Sequence, residues 1–386
     1  MDLSYILNEL GEDPEQYFGA ISPPITQASN FAFSSVAAMR AALADEYAHY
    51  LYSRGKNPVA DILRQKLAAL DGAEDALLFN SGASAIYAAV MAHVRQGDHV
   101  VSVANPYTWA SKLFSDILPR YGVSVTYVDG RTIEAFEQAI LPHTKLIYLE
   151  SPNSWDFAIQ DIKAVAELAR AEGIITVMDN SYCTPLYQQP IKLGIDLVLQ
   201  SATKYLSGHS DTVGGVLSGS KEHLARIFAL DYLAIGSGMT PFHAWLTLRG
   251  LRTLPLRLQQ TSSTAMAVVD WLKQHPRIEK TWYPLDPAFD QYALASHQMN
   301  GAGGLLSFAL RDADRSAIER FVESLQHIRL AVSWGGHESL VIPRCAGIPV
   351  ENFQPDQLAH RMCRLYVGLE SPSYLIADLE QALNTR

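Results

Sequence analysis

Three cysteines in 386 residues (Cys183, Cys345 and Cys363) are too sparse for a disulfide framework and lack metal-ligand spacing. No apolar stretch approaches the roughly 18 uncharged residues of a membrane-spanning helix. Positive charge is also scarce, with 30 Lys and Arg against 40 Asp and Glu and a formal net charge of −10. Such a field repels phosphate backbones, so nucleic acid is not the expected partner. The start, Met1-Asp2-Leu3-Ser4, has neither the basic residues nor the apolar run of a secretion signal, and cytoplasmic residence is the expectation. The glycine fingerprints GxGxxG and GxxxxGK[ST] are both missing, which argues against a nicotinamide oxidoreductase or a P-loop enzyme. His209, His223 and His243 show no HxH or HxxxH spacing, so no metal site is expected.

What remains is an ordinary globular composition, 48% hydrophobic and 18% charged. The length suits a large domain plus a smaller one. Residues 1–50 read as an arm: Pro23 and Pro24 extend the chain, and Phe31 and Phe33 alternate as in a short strand or a packing segment. Between residues 51 and 248, apolar strands near residues 76–79, 99–103, 124–128, 146–149, 174–178 and 197–199 alternate with helices. That pattern predicts an α/β fold whose mostly parallel sheet is covered on both faces. From residue 249 a long helical stretch, a strand at 303–310 and helices near 317–326 and 375–383 indicate a smaller α+β C-terminal domain.

Ligands of open parallel sheets sit beyond the carboxyl ends of the strands. Lys204 lies just past one such end, in Gln200-Ser201-Ala202-Thr203-Lys204. An amine there can form an imine with a phosphorylated aldehyde while Ser201 and Thr203 donate to its phosphate. Asp179 ends another strand, where a carboxylate can keep a pyridine nitrogen protonated. Ser81 and Gly82 open a helix after a strand, and helix N-termini bind anions. Taken singly, each has a commoner alternative: a solvent-facing lysine, a capping aspartate, an ordinary strand–helix turn.

Together the motifs resemble a known family. Ser201-Ala202-Thr203-Lys204-Tyr205-Leu206-Ser207-Gly208-His209-Ser210-Asp211 is similar to the cofactor-lysine signature of the Cys/Met-metabolism enzymes that use pyridoxal 5'-phosphate. Tyr52-Ser53-Arg54, Gly97-Asp98, Glu150-Ser151-Pro152, Asp179-Asn180, Gly303-Gly304 and Arg364-Leu365 follow in the family's order. The resemblance spans nearly the whole chain and implies the fold type I architecture of pyridoxal-phosphate-dependent transferases. It implies that Lys204 carries the cofactor as a Schiff base and shuttles protons, that Asp179 pairs with the pyridinium, and that Tyr107 stacks on the ring. Ser81, Gly82, Ser201 and Thr203 would bind the phosphate. Tyr52 and Arg54 would reach it from a neighbouring subunit, which implies a homo-oligomer with shared active sites, a dimer at minimum and a tetramer by expectation. Arg364 would clamp the carboxylate of a small amino-acid substrate, aided by Ser154 and Ser333.

The reaction is less sharply marked. Ser154 and Ser333-Trp334-Gly335-Gly336 resemble cystathionine β-lyases, whereas Val332 resembles methionine γ-lyase and Trp109 replaces the cysteine expected of that enzyme. Trp109, Trp155 and Trp334 imply an apolar substrate entrance, or else a packed cleft wall. The expected activity is a carbon–sulfur lyase, by β- or γ-elimination. The alternative is a γ-replacement enzyme that uses an activated homoserine to form C–S or C–C bonds.

Overall fold

The structure is a computed structural model, and it describes residues 1–385. Seven strands form the larger sheet: β1 (Asp75–Phe79), β2 (His99–Val103), β3 (Ser124–Val128), β4 (Thr144–Glu150), β5 (Ile175–Asp179), β6 (Leu197–Ser201) and β7 (Gly215–Gly219). They lie in the order β1-β7-β6-β5-β4-β2-β3. Only β7 runs against the rest, pairing antiparallel with both β1 and β6. The expected mostly parallel α/β sheet is therefore present. Strands β1, β2, β6 and β7 are buried or nearly so along their length, as burial on both faces requires.

Local chemistry sets the helices that cover this sheet. The helix Pro58–Asp71 starts with Asn57 accepting from the Val59 amide, carries proline in its first turn and stops at Gly72, whose φ is 69°. Ser81 caps Gly82–Met91 and Asp161 caps Ile162–Glu172. Leu77, Phe79 and Ala85 to Val90 share one core with the first of these last two helices; Val101, Ile147 and Met178 share another with the second. The two cores lie on opposite faces of the sheet, because neighbouring side chains along a strand point opposite ways.

A second sheet of five strands follows: β8 (Ile278–Trp282), β9 (Leu305–Leu310), β10 (Arg329–Leu330), β11 (Leu340–Pro343) and β12 (Met362–Tyr366), in the order β10-β11-β12-β9-β8. Sequence patterning indicates only β9 among them. The long helical stretch is two helices, Pro241–Leu251 and Leu254–Gln274, with Pro255 in the first turn of the second. Phe31 and Phe33 build no strand. The arm touches the body there through an isolated bridge, Asn30 to Tyr52. No described helix is long and apolar enough to cross a membrane.

Candidate active site

A cavity of about 610 Å³ opens at the carboxyl ends of β4, β5 and β6. Its size is that of a cofactor or small-ligand site. It collects Ser81, Gly82, Tyr107, Trp109, Ser154, Asp179, Ser201, Thr203, Lys204, Ser333, Trp334 and Arg364 from seven stretches of chain. These are all the expected site residues except Tyr52 and Arg54. That pair lies apart, with the Arg54 guanidinium 5.6 Å from the centroid of the Tyr52 ring and Tyr52 exposed.

Strand ends account for the placement. Glu150 and Asp179 are register partners at the last positions of β4 and β5, so two carboxyls emerge side by side. Lys204 follows β6 by three residues, in a turn where its own amide donates to the Ser201 carbonyl. The Lys204 amine donates to the Ser333 hydroxyl at 2.6 Å and stands 5.4 Å from the Trp334 ring centroid. Burial, with the Arg364 charge added, pushes its pKa down to about 8, against the opposing pull of Asp179. Such an amine can both take and give a proton near neutrality.

On the acid side, burial raises the Asp179 carboxyl, while bonds from Ser181 and the charge on Lys204 lower it. The Ser181 amide donates to one Asp179 oxygen at 2.8 Å. Among the described residues the Arg364 side chain has one hydrogen-bond partner, the Ser154 carbonyl at 3.0 Å. Burial brings its pKa down to about 10, and Glu150 opposes that change. A guanidinium with four of its five N–H donors unmatched by protein is built for a planar anion. Burial, then Asp179 and Glu150, raise the Tyr107 phenol, so it is held as a neutral donor.

The end of the cavity at Ser81, Gly82, Ser201 and Thr203 is more constrained than the sequence indicates. The Ser81 hydroxyl caps its own helix at the Ser84 amide, 3.1 Å away. Thr203 is engaged with the backbone of Gly214, accepting from its amide at 3.1 Å. Two glycines keep the loop tight. A Cβ at Gly82 would stand 3.2 Å from that of Ser201, and one at Gly215 would meet the Ser81 carbonyl oxygen at 2.2 Å. Helix-terminal amides and the Ser201 hydroxyl thus face the same small space, a donor set that fits a phosphate.

Sequence reasoning assigned no role to Glu150, although the same signal that marks Asp179, an acid closing a parallel strand, marks it too. It is buried. One oxygen accepts from the Tyr107 amide at 2.6 Å and the other from the Ser154 hydroxyl at 2.5 Å. Ser181 was also missed; its hydroxyl accepts from the Ser201 amide at 2.7 Å and its amide braces Asp179. Among the described residues, no group of three or more His, Cys, Asp or Glu is placed to hold a metal ion.

An amine of lowered pKa, an enclosed acid, a phosphate-sized donor cradle and an open guanidinium fit one ligand set: an aldehyde, a pyridinium, a phosphate and a carboxylate. Fold and pocket together define a pyridoxal-phosphate enzyme of fold type I. The pattern of the Cys/Met metabolism PLP-dependent enzymes matches residues 6–384, and the chain belongs to that family. It is 36% identical over 378 residues to an L-methionine gamma-lyase of Porphyromonas gingivalis, covering 96% of this chain and 94% of the relative. A cystathionine beta-lyase of Bacillus subtilis is 36% identical over 371 residues, 95% of this chain and 92% of that one. The crystal structure of metB from Corynebacterium glutamicum superposes with a TM-score of 0.91 at 32% identity, over 100% of this chain and 98% of that one.

Proposed function

We propose that the protein is a carbon–sulfur lyase that breaks down a small sulfur-containing amino acid by β- or γ-elimination. The observation that carries the reading is the Lys204 amine, with a pKa near 8, in one cavity with Arg364 and an apolar mouth. That mouth presents Trp109 and Val332, which are 61% and 73% exposed. An apolar rim of this kind suits a thioether, and Val332 offers no opposite charge to a distal ammonium group.

Bound pyridoxal phosphate supplies an electron sink that stabilises negative charge on the substrate's α-carbon. Ser81, Gly82, Ser201 and Thr203 are the residues to hold its phosphate, Asp179 its ring nitrogen and Lys204 its aldehyde. Arg364 holds the substrate carboxylate, with Ser154 and Ser333 beside it. The Lys204 amine, released when the substrate's own amine takes its place, then takes the α-proton. In β-elimination the bond between Cβ and sulfur breaks and the sulfur leaves with the electron pair. In γ-elimination a proton leaves Cβ first, and the bond at Cγ breaks. The neutral Tyr107 phenol is the group that protonates the departing sulfur in this reading, supported by its raised pKa and its place in the cavity. Trp155 and Trp334 line the cavity and Trp109 stands at its mouth.

Tyr52 and Arg54 complete the phosphate site of a second copy, so the working unit is a homo-oligomer of at least two chains. Domains at residues 1–50, 51–248 and 249–386 and cytoplasmic residence belong to the same proposal. Its direct test is a substrate panel: cystathionine, cysteine, methionine, O-acetylhomoserine and O-succinylhomoserine, scored for keto acid, ammonia and thiol. Keto acid with methanethiol from methionine, or with hydrogen sulfide from cysteine, is expected. Turnover only of an activated homoserine with an added nucleophile would replace the lyase with the γ-replacement reading.

A further inference from the structure

Glu150 joins three parts of the site at once. Its register partner is Asp179 on β5, its oxygens accept from the Tyr107 amide and the Ser154 hydroxyl, and the Ser154 carbonyl accepts from Arg364. None of these contacts lets it serve as a surface acid, since it is buried. We propose that Glu150 is a positioning residue that takes up a proton from solvent when a substrate carboxylate docks at Arg364, and so turns Ser154 toward the substrate. The inference rests on Arg364 being the carboxylate clamp.

The charges around Glu150 give the reason. Burial and then Asp179 raise its pKa to about 8; Ser154, the Tyr107 amide and the Arg364 cation lower it. Tyr148 on its own strand and Tyr107 are held neutral by burial and by these same acids. The charge on Lys204 lowers the pKa of Asp179. Arg364 is the side-chain cation that favours ionised Glu150. A carboxylate bound at Arg364 brings a negative charge that offsets the field of the guanidinium, and this favours the protonated acid.

The geometry then changes without movement of the backbone. Protonated at the oxygen that faces Ser154, Glu150 donates where it had accepted. The Ser154 hydroxyl becomes the acceptor of that bond, and its own hydrogen is free to point at the substrate carboxylate. The oxygen facing Tyr107 keeps its amide bond, so the Tyr107 segment stays fixed. Docking, proton uptake and the third carboxylate contact are one linked event.

The test uses the cofactor-loaded enzyme and 4-(methylthio)butanoate, a carboxylate with no amino group to react. Calorimetric titration in buffers of different ionisation heat counts protons taken up on binding. Uptake is small where Glu150 already holds its proton and rises with pH toward about one proton per site as the unliganded acid ionises. Glu150→Gln is expected to bind the ligand and lose that uptake. Equal uptake in Glu150→Gln and wild type, or binding to wild type with no uptake at any pH at which the enzyme is folded, would overturn the proposal. The infrared difference spectrum of the wild-type enzyme gives a second reading that needs no variant. With the ligand carboxyl labelled with ¹³C, binding should create an unshifted protonated-carboxyl band, and its absence would also overturn the proposal. If Arg364→Ala binds the ligand as tightly as wild type, the clamp reading itself falls, a result separable from binding without uptake.

Discussion

The Lys204 amine reaches across 129 positions of sequence to donate a 2.6 Å hydrogen bond to the Ser333 hydroxyl. Ser333 lies between β10 and β11 and holds a φ of 80°, a conformation that costs a non-glycine residue on the order of 1 kcal/mol or more. Trp334 and Gly335 follow, the glycine with a φ of 90°. This strained turn from the smaller sheet closes one wall of the cavity directly over the lysine.

Gly335→Ala is therefore expected to damage the site more than the fold. A Cβ there would stand 2.7 Å from the Lys204 carbonyl carbon, at a φ that side chains rarely adopt. The variant should keep its far-ultraviolet circular dichroism and lose most of its bound cofactor by visible absorbance. Full cofactor occupancy would mean that the wall yields without disturbing Lys204.

Arg364→Met should raise KM far more than it lowers kcat. Truncating one partner of a desolvated charge pair costs about 2–5 kcal/mol, tens-fold to thousands-fold in affinity. Steady-state kinetics on the best substrate of the panel would show the split. An unchanged KM would place the carboxylate elsewhere.

Asp71 gives a stability test remote from catalysis. It is fully buried, bonded to Gln200 and Ser218, and burial raises its pKa to about 7. The folded chain then binds more protons than the unfolded one between the ordinary aspartate value and about pH 7. Stability contributed by this group is present at low pH and lost as pH rises through that window. Asp71→Asn removes the dependence, so the stability of the variant relative to wild type should improve from pH 5 to pH 8 by up to about 3 kcal/mol, read as a rise in relative Tm. A pH-independent difference would show Asp71 ionised in the fold.

Shared sites predict complementation. Lys204→Ala and Arg54→Ala should each have little activity alone. After subunit exchange, mixed pairs carry one site with both residues intact, and the mixture should recover about a quarter of wild-type activity. No recovery after exchange would place Arg54 in its own chain's function.

Much of the larger sheet was legible because strands buried on both faces read as unbroken apolar runs, as at Leu77-Leu78-Phe79 and Ile147-Tyr148-Leu149. Lys204 and Asp179 were legible as reactive groups at strand ends. Strand β7 was not: Gly214-Gly215 and Gly219 read as turn residues, yet glycine is needed where Gly215 lies against the Ser81 carbonyl. The smaller sheet hid because β10 is two residues long and β11 ends in Pro343. Phe31 and Phe33 alternate as a strand does, but only one bridge forms beside them. Glu150 was quoted for its place in a motif, while its role depends on partners at Tyr107, Asp179 and Arg364 that only the fold brings near.

The whole account depends on Lys204 being the residue that bonds the cofactor. Reduction of the loaded enzyme with borohydride, followed by peptide mass mapping, tests this most directly. The account predicts bleaching of the visible absorbance and a single pyridoxyl-phosphate adduct on the peptide containing Lys204. An adduct on another lysine, or retained colour with no adduct at all, would contradict it.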